Sequence, residues 1–212
     1  SFLDRMQLLR RIDQKRFVNP IDAYVYLHSK LHFTEYMPET HAAGTAEMLI
    51  RQLDNASRWV VKPSAASFGR DVIFINDDDD GRERVREVIA NHGFAVLQRY
   101  VESVEQGEVR FLVAAGEPIG CYKRLPVDNR ANLAMGARPI AHTATVREAE
   151  LANTIGTKLL EFGIRYAAVD IADPYLIEVN VVNPGGLGTL EELTGNDLAP
   201  AAVHAIVQSM QN

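Results

Sequence analysis

The sequence predicts an α+β protein in which antiparallel sheets are flanked by helices, and three patterns predict it. Short apolar runs bounded by turn residues read as strands at Trp59–Pro63, 72–75, Ala95–Val101, Glu108–Ala114 and Ile119–Arg124. Tyr166–Ile171 and Leu176–Val181 are two further strands joined by Ala172-Asp173-Pro174-Tyr175, a hairpin by composition. Amphipathic helical stretches open the chain, interrupt the strands and close it.

Taken in order, Phe2, Leu3, Met6, Leu9 and Ile12 recur at helical spacing, with Arg5, Arg10, Arg11 and Asp13 on the other face. Phe17 and Val18 read as a short strand ended by Asn19-Pro20, and Asp22 starts a helix expected to run to about Phe33. Pro63 ends its strand, because it cannot donate to a ladder. The small-residue loop 64–70 (Ser-Ala-Ala-Ser-Phe-Gly-Arg) then leads to the next strand, an arrangement unlike a Walker loop or a dinucleotide fingerprint. Asp77 to Asp80 read as a solvated turn that favours the positive end of a helix Arg82–Asn91, since the alternating spacing of a calcium loop is missing. Residues 126–139 are polar, without a regular period, and long enough to be a functional loop. Arg147–Phe162 is a helix with Leu151, Ile155, Leu159 and Phe162 on one stripe. A short helix near Leu190 and a final one over Leu198–Met210 complete the chain.

The 212 residues, 47% of them hydrophobic, allow one large core or two small ones. A formal charge of −6 argues against a nucleic-acid partner, which needs clustered Lys and Arg. Cys121 is the single cysteine, so no internal disulfide forms, and the chain fits a reducing cytosol. No apolar run approaches the ~18–20 residues of a membrane span, and no signal-peptide pattern is present. The start at Ser1 rather than Met reads as a processed terminus or a piece of a longer protein.

Asp170, Glu178 and Asn180 place three oxygen-bearing side chains on two adjacent strands otherwise made of Val, Ile and Ala. Glu178 and Asn180, two apart, share a face, and an in-register hairpin brings Asp170 to the same side, with Ile177 and Val179 toward the core. Such a cluster suits Mg²⁺; the pattern equally allows polar residues on the wet face of a sheet. Arg110 and Arg124 interrupt apolar strands and should point to one face, as anion holders or as surface partners of Glu108 or Glu117. Lys62 stands just before the small-residue loop, where backbone N–H groups can approach phosphate oxygens; Lys30 precedes it in a helix region. His28 and His32 are four apart but lack a third ligand, and Cys121 reads as a packing residue.

These features fall in one order, and that order resembles bacterial glutathione synthetase of the ATP-grasp superfamily over nearly the whole chain. The resemblance is carried by Val61-Lys62-Pro63 with its loop, Gln98-Arg99-Tyr100-Val101, the segment 107–113 (Gly-Glu-Val-Arg-Phe-Leu-Val), the segment 129–136 (Asn-Arg-Ala-Asn-Leu-Ala-Met-Gly), and Val169-Asp170-Ile171 with Glu178-Val179-Asn180-Val181. It implies an ATP-grasp fold of two lobes, with residues 1–40 leading in, a small lobe over 41–101 and a large lobe over 102–212. By the same resemblance, Lys30 and Lys62 contact ATP phosphates, and the loop with Ser64, Ser67 and Gly69 folds over them. Gln98, Tyr100 and Val101 meet adenine, and Asn132 joins the nucleotide-binding set.

Asp170, Glu178 and Asn180 match the family's magnesium ligands, expected to hold two Mg²⁺. Arg110, Arg124 and Arg130 match positions that hold the substrate or the transferring phosphate, and 126–139 looks like the lid loop. The implied activity is ATP-dependent carboxylate–amine ligation through an acylphosphate, with γ-glutamyl-cysteine and glycine or a related pair as small-molecule substrates. The alternatives are a ligase adding an amino acid to another small molecule and a non-catalytic nucleotide-binding module. The reading expects a cytoplasmic protein with no nucleic-acid or membrane partner and leaves a homo-oligomer open. The chain departs from the family in lacking almost all of its N-terminal domain, in a shorter lid segment, and in a phosphate loop poorer in glycine.

Overall fold

The computed structural model describes residues 2–29, 31–64, 72–126 and 137–211. Helices α1 (Phe2–Leu9) and α2 (Ile21–Leu27) precede strand β1 (Thr40–Ala43), helix α3 (Ala46–Ile50), and strands β2 (Trp59–Pro63) and β3 (Ile73–Ile75). Helix α4 (Asp79–His92) and strand β4 (Ala95–Arg99) follow, and then strands β5 (Glu108–Ala114), β6 (Glu117–Leu125) and β7 (Arg138–Ala141). The chain ends through α5 (Val146–Glu161), β8 (Tyr166–Ala172), β9 (Tyr175–Asn180), α6 (Leu187–Thr194) and α7 (Ala199–Gln211). The strands form two antiparallel sheets, one in the order β1-β4-β2-β3 and the other β7-β6-β5-β8-β9. The expected α+β architecture with two antiparallel sheets is therefore the one observed.

Period-2 alternation sorts the first sheet into two faces. Trp59, Val61, Ala95 and Leu97 pack with Leu49 of α3 and Val85 and Val88 of α4, while Thr40, Lys62 and Gln98 lie on the opposite face. The acidic run does what the sequence predicts: Asp78 caps α4 by accepting from the Gly81 N–H, and Asp79 and Asp80 occupy its first turn. Gly93, at φ 72, stops this helix in a left-handed conformation.

In the second sheet Val109, Phe111, Val113, Val169 and Ile171 pack against Ala152, Ile155 and Leu159 of α5 and Ala23 and Leu27 of α2. Thr145 and Glu148 form a reciprocal capping box that starts α5. Leu190 of α6 and Ala202 and Ile206 of α7 cover Leu112, Ala114 and Ala168 on the other face. Strand β8 is thus enclosed on both sides, buried from Ala167 to Ala172.

Several expectations shift. Phe17 and Val18 form no strand; a 3-10 turn over Gln14–Arg16 precedes them. Helix α2 stops at Leu27 rather than Phe33, and Phe33 turns into the core beside α5. Strand β1 and helix α3 were not expected, and β7 pairs with β6 where a loop was expected to run to Pro139. Among the described residues no helix is long and apolar enough to cross a membrane.

Asn19, expected in a simple turn, is buried and ties distant parts of the chain together. Its amide donates to the carbonyls of Tyr166 (2.7 Å) and Val181 (3.1 Å) and accepts from the N–H groups of Arg165 (2.8 Å) and Tyr166 (3.0 Å). Removing it leaves enclosed backbone groups without partners. Asn19→Ala is expected to lower unfolding free energy by about 2–4 kcal/mol, measured as the shift in urea midpoint at unchanged m-value.

Candidate active site

The site is built on one face of the second sheet by strand register. Across β5 and β8, Arg110 stands opposite Asp170; across β8 and β9, Asp170 stands opposite Glu178, with Asn180 opposite Ala168. Across β5 and β6, Arg110 faces Tyr122, and Glu108 faces Arg124. Directly opposed residues point the same way. Glu108, Arg110, Tyr122, Arg124, Asp170, Glu178 and Asn180 therefore share a face, as the sequence predicts for the arginines and for the Asp-Glu-Asn set.

One detail differs. The register shifts between Asp170 and Ile171, so Leu176 pairs with Ile171 and is fully buried, while Ile177 is left without a cross-strand partner. The core-facing pair is Leu176 and Val179, not Ile177 and Val179. The extra residue keeps Glu178 opposite Asp170.

Asp170 is 0% exposed, and its carboxylate accepts three hydrogen bonds and makes one further ion pair. Its Oδ1 accepts from Arg110 Nε (2.8 Å), its Oδ2 accepts from Arg110 Nη2 (2.7 Å) and Asn180 Nδ2 (3.1 Å), and Arg124 Nη2 stands 3.0 Å from Oδ2 as an ion pair. Burial alone would push this carboxyl up; the two guanidiniums outweigh it and hold the pKa down at about 2. Arg110 also reaches the Gly185 carbonyl (3.3 Å), and Arg124 donates to Glu108 (2.7 Å). Buried Arg124 Nε finds no acceptor among the described residues. Tyr122 is fully buried under Gly186, where an added Cβ would stand 2.5 Å from its Oη.

Among the described residues no group of three or more His, Cys, Asp or Glu side chains is arranged around a metal. The Asp170, Glu178 and Asn180 set is two carboxylates and an amide, and its convergence fits a hard divalent cation. Both Asp170 oxygens are engaged by arginine, so a cation there would compete with these guanidiniums for the carboxylate.

On the first sheet, Lys62 Nζ donates to Gln98 Oε1 (3.1 Å), and Gln98 Nε2 donates to Thr40 Oγ1 (2.8 Å). Gln98 is held in place with its amide orientation fixed by these neighbours. Ser64 ends the described part of the small-residue loop. The segment after β4 joins the two sheets: Tyr100 N–H donates to the Arg58 carbonyl, and Val101 precedes the 3-10 turn Glu102–Gln106. The Tyr100 hydroxyl donates to Glu105 (2.8 Å), and its pKa is pushed up to about 12, first by burial and then by Glu105. Arg58 lies 4.5 Å from its ring centroid. Lys30, Ser67, Gly69, Arg130 and Asn132 lie outside the described residues.

The sequence reading missed Glu108 as part of the site, naming it only as a surface partner of the arginines. The signal was available: it lies two residues before Arg110 on the same strand. Thr40 and Tyr122 were missed for want of any local motif.

Asp170 and Glu108 give opposite pH dependences. Asp170 has a folded pKa below its ordinary 3.8, so its stabilisation is complete above about pH 4 and fades as pH falls toward 2. Burial raises Glu108 from 4.5 to about 7 against the pull of Arg124, so in that interval the folded chain holds a proton that the unfolded chain has lost. Stability then falls as pH rises through the interval. Glu108→Gln is expected to flatten this decline in urea midpoints measured from pH 4.5 to 7. An unchanged slope would count against the assignment.

Residues 27–195 match the family described as "Prokaryotic glutathione synthetase, ATP-grasp domain". The glutathione synthetase of Gloeobacter violaceus is 30% identical over 182 residues, covering 84% of this chain and 56% of that protein. The glutathione synthetase of Synechococcus elongatus is 27% identical over 219 residues, covering 98% of this chain and 68% of that protein. This chain spans little more than half the length of several such relatives. In fold, D-cycloserine synthetase DcsG superposes with a TM-score of 0.78 at 17% identity, covering 99% of this chain and 78% of that one. A D-alanine–D-alanine ligase from Bacillus anthracis gives 0.60 at 15% identity, covering 85% and 66%. With two antiparallel sheets and four-fifths of its length matched, the chain belongs to the prokaryotic glutathione synthetase ATP-grasp domain family.

Proposed function

We propose that this chain is the nucleotide-binding catalytic part of an ATP-dependent carboxylate–amine ligase. The observation that carries the reading is the registered gathering of two arginines, three carboxylates and an amide on one sheet face. The Lys62–Gln98 pair on the other sheet supports it. In this reading residues 41–101 form the small lobe, 102–212 the large one and 1–40 the lead-in.

Lys62 and Lys30 hold phosphate oxygens, Ser64, Ser67 and Gly69 supply the loop over them, and Gln98, Tyr100 and Val101 line the adenine edge with Asn132 among the nucleotide contacts. Arg110, Arg124 and Arg130 orient the substrate carboxylate against the γ-phosphate and stabilise charge on the transferring group. Asp170, Glu178 and Asn180 hold Mg²⁺, with two ions expected, which when bound neutralises charge on the phosphate oxygens. A carboxylate oxygen attacks the γ-phosphorus, ADP leaves, and an acylphosphate forms; the amine then attacks the acyl carbon and phosphate departs. We assign a γ-glutamyl peptide and glycine, or a related pair, as substrates.

ATP-dependent phosphate release with a γ-glutamyl dipeptide and a mixture of amino acids tests the reading. Asp170→Asn and Glu178→Gln are each expected to lower turnover at least about 100-fold. Lys62→Ala is expected to raise KM for ATP about tenfold with a smaller effect on kcat. Full turnover in both carboxylate variants would remove the metal assignment, and background release with every acceptor despite Mg-ATP binding would favour a non-catalytic nucleotide module.

A further inference from the structure

Two kinds of positive partner compete for the oxygens of Asp170. Its two oxygens meet three nitrogens of Arg110 and Arg124 and one of Asn180, in a place closed to solvent. A divalent cation seated on either oxygen at about 2.1 Å would stand next to the same guanidiniums, where like charges repel in a poorly screened environment. The arginines in turn need an acceptor wherever they go, because a buried guanidinium without one is costly. Among the described residues Arg124 Nε, a buried donor, has no acceptor, and Arg110 leans on the Gly185 carbonyl with Nη1. A polyphosphate presents paired oxygens that match the planar fork of arginine.

We propose that Asp170 is exchanged between the two arginines and the divalent cation, and that the exchange occurs only when a nucleoside polyphosphate takes over Arg110 and Arg124. The inference rests on the ligase reading for the identity of that ligand. It adds an order: the cation enters with the polyphosphate or after it, never alone. The arginine pair thus guards the metal carboxylate as well as touching substrate, and Asn180 stays beside Asp170 through the exchange. Nothing but positions of side chains changes, and the charge lost by each group is replaced by the other's partner.

Mn²⁺ binding followed by electron paramagnetic resonance, with no nucleotide present, reads this directly. The wild-type chain is expected to bind Mn²⁺ weakly, and Arg110→Gln to bind it about tenfold or more tightly, since one competitor for Asp170 is gone. Adding Asp170→Asn to Arg110→Gln should abolish the gain. Because Arg110→Gln also weakens the packing around a buried carboxylate, its fold is checked by circular dichroism. A second measurement uses the unaltered chain: the arginine Nε–H resonances of Arg110 and Arg124 should stay fixed with Mg²⁺ alone and move when adenylyl imidodiphosphate is added with it.

Tight Mn²⁺ binding by the wild-type chain, no gain in Arg110→Gln, or arginine shifts with Mg²⁺ alone would each overturn the exchange. A gain in Arg110→Gln together with arginine resonances that adenylyl imidodiphosphate leaves unmoved would sink the ligase reading and the nucleotide-driven step, and leave only the competition for Asp170 standing.

Discussion

A carboxylate that no solvent reaches stays ionised only where the protein itself supplies the counter-charge, and the second sheet is arranged around one such group. Asp170 lies in the middle of a strand whose flanking residues are Val169, Ile171 and alanines, so its own strand offers it no counter-charge. Two arginines from the two strands on one side and an asparagine from the strand on the other meet it. Each comes from a different distance in sequence, and only antiparallel register brings them to one point.

That requirement reaches outward. For Arg110 to face Asp170, β5 must lie between β6 and β8, and for Arg124 to reach it across β5, β6 must hold its register with Glu108. The Tyr122 ring meets the turn into α6, and the absence of a side chain at Gly186 lets that turn approach. Helices α6 and α7 then shield the remaining apolar part of the same face, so the polar end stays confined to the strand termini near residues 108, 124 and 178. The two faces of one sheet thereby differ, α5 and α2 closing the core on one and the charged residues gathering on the other.

Much of this was legible in the chain. The Tyr166–Val181 hairpin announced itself by composition, and residues two apart on a strand must share a face, which placed Arg110, Glu178 and Asn180 without coordinates. The resemblance supplied the fold and the order of the motifs. What spacing does not encode is which partner a buried acid takes: the same Asp170 reads as a metal ligand or as an arginine partner, and only the three-dimensional neighbours distinguish them. The bulge that moved Ile177 out of register also escaped, because an extra residue in one strand leaves no mark on apolar alternation shorter than the strand. β1 and α3 were missed since four or five residues give no measurable period.

Asn19 carries a different consequence, one for how the polypeptide is made. Its partners are residues 165, 166 and 181, which lie 146 to 162 positions further along. A chain emerging from the ribosome in order has no site for this side chain until the late hairpin has been synthesised. Helix α2 and Phe33, whose apolar side chains complete the core under α5, must therefore wait in a loosely held state while the first sheet, with its ladders confined to residues 40–99, can already close. Asn19 and the residues around it are thus among the last of this chain to find their place.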